Sequence, residues 1–471
     1  MKTLIILTVS AIALSLSASA RAINATWDLD PSSGDWNTGL NWTLGIVPEL
    51  PGDIATFAAS NTTDVFLSTA ASGVAIVFTP EASAFNIDVP FATTLILDGP
   101  GVTNTSTQVQ HFSVGADTTT AGLGGRIIFS TRASAGRLNT YTAAGATESG
   151  RGGGAIFFNS FTTASNSTFI LEGCTASGAL PANLSFGNTA TASRAVIMAL
   201  GGTNGGPGGL VQFVAKSNGD RAQLQLLGNG SLELSFHGKP GLSIGSLDGA
   251  GTVFLGETTL TVGTNNLTTT FSGLIQDGGI GGGVKGKLVK TGTGRLTLSR
   301  GHLYTGGTRI EAGQLFVNNA NGAGLGSGPV AVNGGVLGGV GIITGAVTVG
   351  TIGALSPAGD SLGQMTVENH LTFNAGSTYL CDVHSGTAEF DSVAAAGVTI
   401  DPAAQFQFGD LGASALAVGT VFKVIDNTAA TPIAGAFADL PEGTIVSLNG
   451  NNFQASYTGG DGNDLTLTVV P

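Results

Sequence analysis

The most constraining feature of this chain is a pair of apolar residues that recurs at short intervals between residues 284 and 375. In the first copy, Leu296 and Leu298 alternate with polar residues, which is the period-two pattern of a strand with one buried face. The pattern returns in four further strands: Leu315/Val317, Val330/Val332, Val347/Val349 and Met365/Val367. Glycine-rich turns separate the copies. Short, regular recurrence without helices predicts a chain that coils into stacked rungs, a β-solenoid.

The predicted fold class is all-β, a parallel β-helix that is right-handed because parallel crossovers strongly prefer that hand. The second apolar residue of each copy lies at positions 298, 317, 332, 349 and 367, in steps of 19, 15, 17 and 18 residues. We therefore expect these five side chains to stack in one interior column, about 4.8 Å apart.

The same stretch is similar to a known family. Lys290–Ser299, Tyr304–Thr308 and Gly313–Val317 resemble the autotransporter-associated β-strand repeat, with its Lys-Thr-Gly, Tyr-Thr-Gly-Gly-Thr and Gly-x-Leu-x-Val segments. The resemblance implies a secreted, passenger-like bacterial surface protein built on a β-helix. It does not name a ligand.

The chain divides into four predicted segments. Residues 1–22 have the basic start, apolar run and small-residue end of a signal peptide, with cleavage after Ala20 or Ala22, so we expect an extracellular or cell-surface protein. Residues 23–60 are predicted to form an N-terminal cap and residues 61–390 the solenoid, with its clearest repeat at 284–375 and a more irregular period upstream. Residues 391–471 are predicted to form a C-terminal β-rich cap. The sequence leaves open whether the protein is released or anchored.

Composition narrows the range of partners. The net charge is −13 and only 10% of the residues are charged, which argues against nucleic acid and anionic membranes as partners. The seven lysines are scattered along the sequence. Binding is therefore expected to come from outward rows of Thr, Ser and Asn, to gain from multivalency and to depend little on salt.

Two cysteines, Cys174 and Cys381, lie about 11 to 12 rungs apart, since a rung takes about 18 residues. At a strand spacing of about 4.8 Å, that separation is far beyond the reach of a disulfide. We expect both to be free and buried as small apolar residues.

All three tryptophans lie near the start of the mature chain, at positions 27, 36 and 42. The first rung of a solenoid exposes an unpaired edge and an open core, which large aromatic side chains would close. The alternative is that Trp36 and Trp42 stack against sugars.

Several motifs resemble enzyme or metal sites without their context. Gly241–Gly245 fits the G-x-S-x-G elbow around Ser243, but a strand rather than a helix is predicted to follow. Lys290-Thr291-Gly292 lacks the S-x-x-K partner of penicillin-binding enzymes. Gly460–Asp464 resembles a calcium-binding turn, yet it is a single copy where tandem copies are needed.

Histidines and carboxylates give no clear site either. The five histidines, at 111, 237, 302, 370 and 384, lack metal-ligand spacing, and His237 and His302 are expected to be solvated. Glu389 and Asp391 share one face of a strand and could mimic a glycosidase pair, although Asp391 occupies a structural position of the family.

The predicted function is that of a non-catalytic secreted or cell-surface β-solenoid with an adhesin-like, matrix or structural role. No catalytic, cofactor-binding or metal-binding residue is predicted, and no nucleotide or nucleic acid is expected as a partner. Glycans or cell surfaces are the expected partners of a monomer. The alternatives are a polysaccharide lyase or hydrolase on the same scaffold and a self-assembling surface-layer or filament subunit.

Overall fold

The first face of the molecule is a sheet of eleven parallel strands, each paired with the next along the chain. The computed structural model describes residues 22–119 and 122–471; the predicted signal peptide lies outside them, apart from its last residue. The strands of the first face are Asn24–Thr26, Ile54–Phe57, Ala71–Phe78, Thr94–Asn104, Arg126–Phe129, Ala155–Phe158, Asn183–Phe186, Leu210–Phe213, Ser231–Glu233, Thr252–Phe254 and Leu274–Gln276.

The second face is a longer parallel sheet whose strands alternate along the chain with those of the first face and continue beyond them. Its strands are Asp64–Phe66, Asn86–Val89, Gln110–Val114, Arg137–Ala143, Asn166–Leu171, Val196–Ala199, Gln223–Leu226, Ser246–Gly249, Thr269–Phe271, Arg295–Leu298, Gln314–Val317, Val330–Gly339, Val347–Pro357, Thr378–His384 and Gln405–Asp410.

A third face begins near residue 242 and is also parallel. The long strands Val330–Gly339 and Val347–Pro357 belong to both the second and the third face, because each crosses from one to the other. The other strands of the third face are Leu242–Ile244, Thr259–Val262, Lys287–Lys290, Thr308–Ile310, Leu371–Phe373 and Val398–Ile400.

The C-terminal part adds a fourth sheet of seven strands that changes from parallel to antiparallel pairing. Ile342–Ile343, Gln364–Val367, Ser392–Ala395 and Val421–Asn427 are parallel to one another. The antiparallel strands follow in the order Asp464–Val470, Asn451–Gly459 and Ile445–Leu448. Two short elements complete the described chain, the 3-10 helix Gly39–Asn41 and the strand Glu389–Phe390.

The prediction of an all-β parallel solenoid is confirmed by this pairing. One continuous apolar core extends from Ala25 to Val469, inside the faces. Parallel pairing already includes Asn24–Thr26 and still includes Val398–Ile400, so the ladder runs beyond residues 61–390 at both ends. The division into domains at those residues stays a prediction.

The prediction of a single interior column is wrong, although all five of its residues are buried. Leu298 and Val317 are partners on the second face, whereas Val332 and Val349 are partners on the third. Val367 lies in the fourth sheet. The physical reason is that each coil carries strands on more than one face. Equal steps along the chain therefore move a residue from face to face as well as from coil to coil.

The most constant coil lies upstream of the repeat that the sequence shows best. On the first face, positions 126, 155, 183 and 210 are successive partners, in steps of 29, 28 and 27 residues. The expectation of an irregular period in this region is therefore wrong. A period of about 28 residues was hidden because every coil contains two strands and long connections, so that apolar pairs recur at uneven shorter intervals.

Aromatic side chains mark this regular coil. Phe129, Phe158, Phe186 and Phe213 stack face to face in one column, with ring centroids 4.3, 4.9 and 4.7 Å apart. The centroid distances match the spacing of parallel strands, about 4.8 Å. Register and ring stacking thus reinforce each other along the axis.

The three tryptophans pack at the N-terminal end of the core. Trp27 and Trp36 each lie edge-on to Trp42, with centroids 5.1 Å apart, and all three contact Phe57 of the second strand of the first face. The indole nitrogen of Trp36 donates to the carbonyl of Pro48 at 3.1 Å. Large apolar area and satisfied indole N–H groups give this cluster a fixed geometry.

Candidate functional site

The motif around Ser243 is a strand and not a nucleophile elbow. Leu242–Ile244 is the first strand of the third face, and Ser243 pairs with Thr261 of the next coil. A nucleophile elbow requires a sharp turn from a strand into a helix. The prediction that this segment is structural is confirmed.

Lys290 of the Lys-Thr-Gly motif is buried and bonded to the backbone. Its Nζ donates to the carbonyl oxygens of Thr291, Gly292 and Ala312 at 2.5, 3.2 and 3.4 Å. Burial lowers the pKa of this ammonium to about 8. The lysine ties together the turns of two successive coils and does not face a substrate-sized opening.

Glu389 and Asp391 do not form a pair of facing carboxylates. Glu389 is exposed and accepts a hydrogen bond from the Thr387 hydroxyl at 3.0 Å. Asp391 is buried and accepts from the backbone N–H groups of Gly363 and Asp382 at 3.2 and 3.3 Å. Burial, together with the nearby Asp382 charge, raises the pKa of Asp391 to about 7. The position is structural, as expected.

The expectation that His302 is solvated is wrong. The side chain is 1% exposed, and its Nδ1 accepts from the N–H of Ile275 at 3.1 Å. Burial, with a smaller contribution from Arg300, lowers the pKa of this histidine to about 4. The glycines beside it misled the sequence argument, because here the turn is covered by the neighbouring coil. His237 is half-buried, with its ring nitrogens 2.8 and 2.7 Å from the carbonyls of Gly238 and Ser217.

The Gly460–Asp464 turn joins two antiparallel strands of the fourth sheet. The Asp464 carboxylate accepts from the N–H of Asn427 at 2.8 Å and lies 3.5 Å from the ammonium of Lys423. A lysine ammonium therefore occupies the neighbourhood that a calcium ion would need. Across residues 22–119 and 122–471, no group of three or more His, Cys, Asp or Glu side chains is placed to hold a metal ion.

Sugar stacking on Trp36 and Trp42 is excluded by their burial. The two side chains are 0% and 2% exposed. A sugar ring needs an accessible aromatic face, and these faces are covered by Trp27 and Phe57. The tryptophans belong to the core.

Two adjoining grooves on the outside of the third face form the best-developed binding surface that the structure describes. Their volumes are about 530 and 650 Å³, and both are lined by Pro240, Thr259 and Lys287. Gly306 and Gly307 lie in the first groove, where the absence of side chains leaves it open. We call the two grooves together the lysine groove. The side chains that give the lysine groove its charge are Lys239, Lys285, Lys287, Arg309 and Glu257.

The lysines of this groove are exposed and uncompensated. Lys239, Lys285 and Lys287 are exposed, and none of them has a carboxylate within 4.0 Å among the described residues. The sequence argument that the lysines are scattered is thus wrong in space. Positions 239 and 287 are far apart along the chain, but stacking of successive coils brings them to one groove.

The positive surface continues toward the N-terminal end. A third groove of about 560 Å³ is lined by Arg194, Arg221 and Ser243, with Asp220 beside them. Ser243 is the partner of Thr261, which lines the lysine groove on the next coil. The outward column then passes through Val289 to Arg309. We call the set Arg194, Arg221, Lys239, Lys285, Lys287 and Arg309 the basic stripe.

The chemistry available in the stripe is recognition of negative charge. Arginine and lysine donate charge-assisted hydrogen bonds to carboxylate, sulfate or phosphate oxygens. Glu257 is the only carboxylate among the described residues that line the lysine groove, so the paired acids of a glycosidase are not assembled there. Only the Val-Lys-Gly-Lys segment at 284–287 could have hinted at this site from the sequence.

Comparison with known proteins agrees with the resemblance seen in the sequence. Residues 288–315 match the family described as Passenger-associated-transport-repeat. The chain carries a passenger repeat. It is also 35% identical over 121 residues to the adhesin BmaC autotransporter of Brucella suis biovar 1 (strain 1330). The matched stretch is 24% of this chain and 3% of that relative, so the chain corresponds to a small part of its length.

The passenger repeat contributes directly to the lysine groove. Leu288, Val289, Gly306, Gly307, Thr308 and Arg309 all belong to the matched segment and line the first groove. The Gly-Gly pair of the repeat leaves the groove open, and Arg309 adds a charge at its edge. In the described parts of the chain, no helix has the length and apolar character needed to cross a membrane.

Proposed function

We propose that this protein is a non-catalytic, adhesin-like β-solenoid that is exported and acts outside the cell or at its surface. The observation that carries the proposal is the passenger repeat at 288–315 within a continuous parallel solenoid. The similarity to an autotransporter adhesin supports it. An extended outer surface with grooves, and no assembled catalytic pair among the described residues, favours binding over turnover.

Two finer structural features belong to this proposal. The coil is right-handed, following the preference of parallel crossovers. The tryptophan cluster caps the N-terminal end, so that the first strand does not recruit another chain by edge pairing. Such a cap suits a monomeric rod that presents its sides and not its ends.

The test is binding of the mature protein, residues 23–471, to whole bacterial and host cells and to a glycan array. Binding that is enhanced by clustering the protein on beads, with no release of product from uronate polymers, would support the adhesin-like function. The proposal fails if no surface or glycan is bound. Turnover of a polysaccharide would instead establish the lyase or hydrolase alternative.

A further inference from the structure

The geometry points to an anionic polysaccharide, with carboxylate or sulfate groups along its chain, as the ligand of the basic stripe. This inference rests on the proposed function and names the class of ligand that the solenoid would hold. The polymer would lie along the solenoid axis, across successive coils, with its acidic groups at Lys239, Lys287 and Arg309.

Charge segregation is the first argument. The whole chain has 17 Lys and Arg residues against 30 Asp and Glu, yet six of those cations share one stripe. Arg309 is paired with Glu311 at 2.9 Å, whereas Lys239, Lys285 and Lys287 have no such partner among the described residues. Grouping like charges without counter-ions costs electrostatic energy, which an anionic ligand would offset.

The direction of the stripe is the second argument. Thr261, Val289 and Arg309 are successive partners in parallel strands, so the coils advance by about 4.8 Å at each step. The connected grooves continue in the same direction from Arg309 back to Arg194. A groove that is open at its ends and repeats along one axis fits an extended polymer better than a small molecule.

A polysaccharide fits this surface better than a nucleic acid does. None of the described residues that line the three grooves is Phe, Tyr or Trp, which single-stranded nucleic acids use for stacking of their bases. The net charge of −13 also opposes the dense charge of a phosphodiester chain. The groove floor of Thr259, Thr261 and Thr308 offers hydroxyl groups that suit sugar hydroxyls.

The test measures affinity of the mature protein for immobilised polygalacturonate, heparin, dextran and single-stranded DNA, at low and at high salt. We expect binding to polygalacturonate or heparin, which distinguishes carboxylate from sulfate, and weakening with salt. The variant Lys239→Gln/Lys287→Gln should lose affinity at least about tenfold, because each lost charge-assisted hydrogen bond is worth about 1.5–3 kcal/mol. Glu257→Gln should bind more tightly.

The matched control is Arg132→Gln/Arg300→Gln, which removes two exposed charges outside the grooves. Its affinity should change by less than about twofold, and thermal melts should show that both double variants are folded. Equal losses in the two double variants, or lysine-dependent binding that is tightest to DNA, would overturn the inference. Unchanged binding of the lysine variant to cells and glycans would also overturn it, yet leave the proposed function intact. Failure of the wild type on every surface would reject both.

Discussion

Three buried side chains of this protein, Lys290, His302 and Asp391, have pKa values displaced toward their neutral forms. Burial is the largest cause in each case, since it penalises the charged state. None of the three lines the basic stripe. Their titration therefore affects the stability of the solenoid separately from its binding surface.

His302 should make the protein sensitive to acid. Its folded pKa of about 4 lies below the ordinary 6.5, so the unfolded chain binds the proton more tightly and stability falls as the pH drops from about 6.5 toward 4. His302→Gln, which can still accept from the N–H of Ile275, should lose less melting temperature over that range than the wild type. The exposed His111→Gln is the control and should behave as the wild type does. Identical pH profiles for all three proteins would contradict this account.

Asp391 should act in the opposite direction. Its folded pKa of about 7 lies above the ordinary 3.8, so the folded state holds the proton more tightly and stability falls as the pH rises from about 4 to 7. Asp391→Asn should therefore flatten the decline in melting temperature across this window. Glu389→Gln, at an exposed neighbouring position, should leave the decline in place. A decline that persists in Asp391→Asn would show that another group is responsible.

At the scale of elements, the stacked coil is held by columns of identical or similar side chains. The Phe129–Phe213 column and a second column of Phe112, Tyr141 and Phe169, with centroids 4.7 and 5.0 Å apart, lie on the two faces of the same coils. Each ring packs against the coil before and the coil after it. Stability is thus distributed along the axis as interactions between neighbours.

Phe158→Ala should test the contribution of one ring in such a column. Phe158 is fully buried between Phe129 and Phe186, and truncation of a buried Phe costs about 3–5 kcal/mol of unfolding free energy. The neighbouring Phe157 points outward and is half-buried, so Phe157→Ala should cost about 1 kcal/mol or less. Denaturant melts of the two variants make the comparison. Equal shifts would mean that the column adds no stability beyond general burial.

At the scale of the whole molecule, the solenoid keeps residues that are distant in sequence apart along its axis. Cys174 and Cys381 are both buried and free, as expected from their separation. Cys174 lies in a small separate cluster with Ala146 and Ala179, and Cys381 lies in the main core. The same axial order places the tryptophans at one end and the antiparallel strands at the other.

Thiol titration should confirm this order in solution. Denatured, unreduced protein should show two free thiols per chain, and the native protein should react slowly because both sulfurs are buried. Mass spectrometry after alkylation identifies the labelled sites. A monomer with no free thiol would require Cys174 and Cys381 to be bridged, which the axial order of the coils does not allow.

The sequence by itself determined the fold class, because alternation of apolar and polar residues and short glycine turns are local properties. Leu296 and Leu298 are buried as their alternation predicts, and the passenger repeat is recognisable from Lys290 onward. The tertiary structure decided what depends on the number of residues in each coil. That number changes from 29 between positions 126 and 155 to 19 between positions 295 and 314.

Coil length explains both the wrong predictions and the missed site. It separates Val317 from Val332 onto different faces, covers His302 with the next coil, and brings Lys239 beside Lys287. Neighbours across coils are set by the register of parallel strands, a long-range property that no local pattern encodes. The sequence therefore determined that this chain coils, and only the tertiary structure decided which side chains meet on its surface.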